Sequence, residues 1–264
     1  MVERKRLLSG LAHPVFIAFI YLFLYLPVVI LALFSFNDSS TPVAWTGFSL
    51  RWYRALYNNP EVLSALQSSL VIAAASTFLS VVLGTCFVVA SKWWRRGWLF
   101  NIFYANILLP DIVLAIGILS IFTFLHIPVG YGSLIVGHTL LGLGFVVPIV
   151  RASFIELDPV LTEASLDLGA TYLETFYKVL LPLMRPALLA SSLLIFTLSL
   201  DDFLISFFCS GASVQTLSLY VYSKARTGID PTINALSAGL LGVSSILVLL
   251  LCSFKVADQV ISHE

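Results

Sequence analysis

Charge is what this chain has least of. Asp, Glu, Lys and Arg make up 11% of its 264 residues, against roughly 25% in a soluble globular domain, and that shortage excludes water as its main solvent. The charges also cancel to a formal net charge of zero, which argues against nucleic acid as a partner and leaves no polybasic tail to grip anionic lipid. Cysteine is scarce. Cys86, Cys209 and Cys252 stand singly inside apolar stretches, which argues against a disulfide framework or zinc site and makes them small packing residues. His126 and His138 lack neighbours at ligand spacing, which argues against a metal site at either.

No G-x-x-x-x-G-K-[ST], H-E-x-x-H or G-x-S-x-G pattern occurs, so the chain has no phosphate loop for ATP and no residues for zinc-protease or serine-hydrolase chemistry. It reads as a non-enzyme. The remaining catalytic alternative is an intramembrane aspartyl enzyme, which needs two facing carboxylates that share a proton. Its Gly-x-Gly-Asp motif is missing, and the adjacent acids Asp201 and Asp202 point about 100° apart on a helix.

What the chain has instead is apolar sequence. Hydrophobic residues make up 59% of it, in runs of about 20, the length that crosses a ~30 Å hydrocarbon core as a helix. The fold class expected is all-α, one polytopic membrane domain over 1–264 with about six transmembrane helices: 14–36, 62–90, 99–125, 133–149, 186–208 and 234–254. The first run follows Arg4, Lys5 and Arg6 like a secretory signal, but it is too long for a signal core of roughly 7–15 residues, and no small-x-small cleavage site follows. Lys92-Trp93-Trp94-Arg95-Arg96-Gly97-Trp98 suits a membrane interface. The glycines of the fourth span allow close helix packing, while Phe203, Phe207 and Phe208 read as packing or lipid-facing residues. Ten Lys and Arg (4, 5, 6, 92, 95, 96, 151, 178, 185 and 255) fall on one side of these spans and four (51, 54, 224 and 226) on the other, which puts both termini in the cytoplasm.

The longest cytoplasmic loop, 153–185, is written for helix, turn, helix. Asp158-Pro159 reads as an N-cap with proline at the first helical position, Gly169 as the left-handed closing residue, and Thr171 with Glu174 as a capping box, with Pro182 limiting the second helix. Leu161, Ala164, Ser165 and Leu168 share one face, as do Leu173, Phe176, Tyr177 and Leu180, so the pair offers an apolar knob. From periodicity alone these faces could equally pack on the spans.

Glu163-Ala164-Ser165, three residues, Gly169, nine residues, Val179, one residue, Leu181-Pro182 closely resembles the EAA loop of the MetI-like (type I) ABC importer permeases. The departures are Ser165 for the second Ala and Val179 for Ile. The resemblance implies that Glu163, Ala164, Ser165, Gly169, Leu173, Phe176, Tyr177, Leu181 and Pro182 form a coupling element seated on a cytoplasmic ATPase. Gly47-Phe48-Ser49-Leu50-Arg51-Trp52-Tyr53, Pro110-Asp111-Ile112-Val113, Phe196-Thr197-Leu198-Ser199-Leu200-Asp201-Asp202 and Asp230-Pro231-Thr232-Ile233-Asn234-Ala235 are similar to its polyamine (spermidine/putrescine) branch. Relatives that import iron, thiamine or phosphonates share the first of these in looser form and give the alternative cargoes. The resemblance further implies a bacterial inner membrane, a homologous permease partner, an external polyamine-binding protein and two copies of the ATPase, which binds the ATP and Mg; this chain itself carries no cofactor.

An Asp inside a span costs roughly 2.5–3.5 kcal/mol, so Asp111, Asp201 and Asp202 are candidates for the substrate pathway. Counting about 1.5 Å per residue from Trp98 and Pro186 puts Asp111 and Asp201 at one level, about 20 Å in. Neither span carries Lys or Arg to neutralise them, and a polyamine could supply that charge. The structural alternatives are an Asp111 in the first turn of a helix restarted at Pro110, and Asp201 and Asp202 as buried acids bonded to neighbouring hydroxyls.

Overall fold

The computed structural model describes residues 2–40, 44–91, 97–228 and 231–261, with backbone only for 2–13, 15 and 247–261. The interfacial turn at 92–96 and Asp230 lie outside the described residues. Regular structure among the described residues is helical, apart from one antiparallel bridge between Asn37 and Phe48. Two compact units divide the chain, one of 1–60 with 223–248 and one of 61–222 with 249–264.

In the first unit, α1 (Val2–Phe34) presents exposed apolar side chains from Phe16 to Leu33, the surface of a helix whose solvent is lipid. The chain then turns around Asn37, whose side chain donates to the Ala44 carbonyl (2.7 Å) and accepts from the Thr46 amide (2.9 Å). Trp52 Nε1 donates to the Asn37 carbonyl at 2.8 Å, and Ser35 and Tyr53 share a hydroxyl bond of 2.8 Å. These bonds fold residues 47–53 back on the turn and seat α2 (Arg51–Tyr57), a short helix between the first two expected spans. The last helix, α13 (Pro231–Ile261), has 31 residues and falls on the sixth expected span.

In the second unit, α3 (Pro60–Ala90) and α6 (Tyr131–Glu156) are each long and apolar enough to cross a membrane, as is α1 from Phe16. Two expected spans are broken. The third is α4 (Phe100–Leu108) and α5 (Asp111–Phe124), bent by 112°. Leu109 and Pro110 are extended (ψ 136° and 135°), because proline has no N–H to give the helix and disfavours α geometry in the residue before it. The fifth ends early, as α10 (Arg185–Asp201); Asp202 is extended (φ −64°, ψ 125°), and a short α11 (Leu204–Cys209) and then α12 (Leu217–Thr227) follow. Counting two bent pairs as one span each, 97–108 with 111–124 and 172–183 with 185–201, gives up to five candidate spans by length and composition among the described residues.

The loop between α6 and α10 holds α7 (Pro159–Asp167), α8 (Tyr172–Thr175), a π-helical turn (Phe176–Leu180) and α9 (Leu181–Leu183), and meets α10 at 71°. The helical run that Thr171 opens ends at Leu183, one residue past Pro182 and before the 71° bend, so Pro182 stands at the far end of that helix as expected.

Central in this unit is α6, which packs on α4, α5, α10 and α11. Gly142 permits this, since a Cβ there would meet Ser80 Oγ and lie 2.9 Å from Ser80 Cβ and Ile195 Cγ2. Along α3, α6 and α10 the core changes character. One apolar cluster gathers Val88, Val146, Val150, Leu180, Met184 and Ile195, and another Ile72, Ala115, Ile118, Leu134 and Ile205. Between them in sequence order lie buried polar residues: Ser76 and Ser80 on α3, His138 and Thr139 on α6, and Ser199 on α10.

Candidate functional site

Helix ends place the acids. Asp111 is the first residue of α5, after Pro110, where a negative charge meets the positive end of the helix dipole, and it is exposed. Asp202 leaves α10, and its Oδ2 accepts the Ser206 amide at 3.0 Å while Ser218 Oγ donates to its carbonyl at 2.7 Å. A carboxylate that competes for backbone in this way ends a helix. The backbone amides of Ser206 and Ile205 and the Ser206 hydroxyl all act on this carboxyl. Asp111 and Asp202 are near enough for their charges to interact.

Two parts of the depth reckoning are corrected. With a 112° bend between α4 and α5, counting along one axis gives no depth for Asp111. Because Asp202 lies outside α10, the 100° helical offset from Asp201 does not apply. The proximity of Asp111 to Asp202 comes instead from α11, which returns from the break and packs along α5.

His138, whose sequence context argues only against a metal, joins this site. It is 1% exposed. Its Nδ1 is 2.7 Å from Ser199 Oγ, which is 3.3 Å from Ser76 Oγ, and its Nε2 faces Asp202 Oδ2 at 3.7 Å with no hydrogen bond of its own. The available signal was its being an ionisable group within an apolar run, the rule already applied to the acids. Among the described residues no group of His, Cys, Asp and Glu could hold a metal ion.

The 153–185 loop is set by its caps as expected. Asp158 Oδ1 accepts the Val160 amide (2.9 Å) ahead of Pro159. Gly169 has φ +86°, and the Gly169 and Ala170 amides return to the Leu166 and Ser165 carbonyls, a Schellman closure of α7. Thr171 and Glu174 exchange both capping-box bonds (3.0 and 3.3 Å). The Thr171 amide, its hydroxyl and Lys178 hold the Glu174 carboxyl down to about 2. Ser165 Oγ bonds Thr175 Oγ1 at 3.0 Å, so the departure from alanine at this position ties α7 to α8.

The two apolar faces are rearranged. Leu173 and Tyr177 point outward while Leu180 is 6% exposed, because the π turn from Phe176 winds more slowly than an α-helix and splits the stripe. Leu168 is 89% exposed. With Val160, Leu161, Tyr172, Leu173 and Tyr177 also exposed, the loop carries an apolar knob of the kind that marks a protein interface. Beside it, Glu163, Phe176 and the end of α3 border a groove of about 550 Å³.

Residues 76–262 match the family described as "Binding-protein-dependent transport system inner membrane component". The chain is 38% identical over 252 residues to the spermidine/putrescine transport system permease protein PotC of Escherichia coli K12, covering 94% of this chain and 93% of the relative. It is 36% identical over 237 residues to the putrescine transport system permease protein PotI of the same strain, covering 86% and 84%. In fold it is similar to a chain of a bacterial ABC transporter involved in the import of alginate, with TM-score 0.72 over 97% of each chain at 15% identity. The MetNI methionine ABC transporter gives 0.56 over 76% of this chain and 94% of that one at 22% identity.

Proposed function

This chain belongs to the family of inner-membrane components of binding-protein-dependent transport systems, the permease subunits of ABC importers, and we propose that its cargo is a polyamine whose path is lined by Asp111, Asp201 and Asp202. The observation that carries this reading is that Asp111, which begins α5 after the 112° bend, and Asp202, which follows the end of α10, are near enough for their charges to interact, with no Lys or Arg in α4, α5 or α11, and in α10 only Arg185 at its far end. Two carboxylates brought together in an apolar surround need positive charge. A flexible chain with several ammonium groups supplies it and satisfies both at once. The names of the relatives, spermidine/putrescine and putrescine permeases, support the same cargo.

The knob on α7 and α8 supports the partner assignment. An exposed apolar surface fixed by a Schellman turn and a capping box is a rigid knob for a second protein, and in this family reading that protein is a cytoplasmic ATPase, present in two copies and holding the ATP and Mg. A homologous permease completes the membrane part, an external binding protein delivers the polyamine, and both termini of this chain face the cytoplasm. The test is uptake of labelled spermidine and putrescine by the assembled importer in proteoliposomes, competed with excess iron(III), thiamine or a phosphonate. Saturable polyamine uptake that none of these displaces is expected. Carriage of one of them, with polyamines ignored, overturns the cargo.

A further inference from the structure

One ring nitrogen of His138 is buried without a hydrogen bond. Ser76 Oγ donates to the Ala73 carbonyl at 3.2 Å, which leaves Ser199 as the donor in the 3.3 Å Ser76–Ser199 contact. With the Ser199 proton used in this way, the 2.7 Å contact is made by an imidazole that donates through Nδ1–H, and it is this tautomer that the proposal takes. A neutral ring in that tautomer has a bare lone pair on Nε2. That atom is buried and makes no hydrogen bond, and what lies opposite, 3.7 Å away, is a carboxylate oxygen, itself an acceptor. Two acceptors turned toward each other in a buried place are unfavourable until a donor stands between them.

We propose that His138 is a specificity-determining residue of the path: its Nε2 and the Asp202 carboxylate together accept one primary ammonium group of the passing cargo, and protonation of the imidazole closes that seat. The proposal rests on the polyamine reading above. An ammonium carries three N–H donors on one centre, enough for Nε2 and Oδ2 together with a third acceptor. Ser206 fixes the direction of the carboxylate by donating its amide to Oδ2. His138 is held from behind through Ser199 and Ser76, so its ring cannot turn away without breaking a chain that spans α6, α10 and α3. A protonated imidazole pairs with Asp202 directly and repels the cation, so acid weakens uptake. The other titratable groups acting on Asp202 are Asp111 from α5 and Cys209 from α11; Asp201 precedes it on α10, and α3 faces the pair with the Ser76 hydroxyl.

The test uses the complete importer in proteoliposomes, with uptake KM measured as external pH is lowered from about 8 to about 4, a range that reaches below ordinary histidine titration. His138→Asn keeps an amide at the Nδ1 position for Ser199 but removes the group that faces Asp202, and His138→Gln places an amide oxygen near Nε2 that cannot titrate. For the wild type, KM is expected to rise as pH falls. In His138→Asn it should rise about ten-fold at the upper pH, the loss of one charge-assisted hydrogen bond. His138→Gln should recover most of that affinity and lose the acid dependence attributable to the imidazole, while both variants co-purify with the ATPase. If His138→Asn fails to assemble, the pH profile of His138→Gln decides alone. Unchanged KM in His138→Asn, or a wild-type acid profile in His138→Gln, overturns the role of His138 and leaves the cargo assignment standing. A wild-type importer that carries no polyamine overturns both.

Discussion

The bonds that shape the loop from α7 to α9 join residues two to ten apart in sequence, whereas those that shape the polar belt at His138 join residues 59, 61 and 123 apart. The loop can therefore hold its form while the helices that carry it move, which is what a lever between a membrane path and a motor requires. The belt exists only while α3, α6 and α10 are packed together, so a site built there senses their relative positions. On the proposed reading, force transmission would rest on local structure and cargo recognition on long-range structure.

The largest effect expected is on the belt. Gly142→Ala drives a Cβ into Ser80, and Ser80 cannot retreat because its hydroxyl is committed to the Ser76 and Thr139 carbonyls (2.7 and 3.1 Å). A loss of about 2 kcal/mol is expected from overpacking, read as a lower thermal midpoint of the purified assembly, and an unchanged midpoint shows that α3 and α6 separate freely.

Next comes the loop. Gly169 has open space around it, so Gly169→Val acts through backbone strain alone, about 1–2 kcal/mol for a side chain in the left-handed region. Uptake is expected to fall while the membrane level of the protein holds. Normal uptake in that variant removes the lever from the comparison.

A smaller effect is expected from Ser165→Ala, which restores the family's residue and deletes the tie to the buried Thr175. About 1 kcal/mol of local stability should go, seen as faster amide exchange in α8, with uptake retained. Equal exchange rates show that the Schellman turn alone holds the two helices.

The smallest effect is the pH response of the exposed capping box. Glu174 is held down to about 2 from 4.5, first by the Thr171 amide and then by Lys178. Its contribution is complete above 4.5 and is lost as pH falls toward 2, so amide exchange at Thr171, corrected for intrinsic chemistry, should stay flat from neutrality to about pH 5 and quicken below. Glu174→Gln should abolish that acid limb.

The same contrast explains what could be read from the sequence. Asp158-Pro159, Gly169 and Thr171 with Glu174 announce the loop because caps act over two to four residues. Pro110 announces a break but not its 112° angle, which the packing of α5 on α11 sets. The break at Asp202 is only partly local: the Ser206 amide lies four residues on, but the Ser218 hydroxyl that holds its carbonyl lies 16 residues on. A 3.6-residue periodicity does not foresee the π turn that sends Leu180 inward and leaves Leu173 outside. His138 was visible as a residue but not as part of a site, because its partners come from other helices.

The most direct measurement is labelled polyamine uptake by the assembled importer carrying Asp111→Asn, Asp201→Asn or Asp202→Asn, each nearly the shape of the wild type without its charge. Asp111→Asn and Asp202→Asn are expected to cut uptake severely while the ATPase still co-purifies, with a smaller loss in Asp201→Asn, which is the last residue of α10 itself. Normal uptake in all three at normal expression would contradict a cation path through the broken helices and leave the acids as helix-end structure.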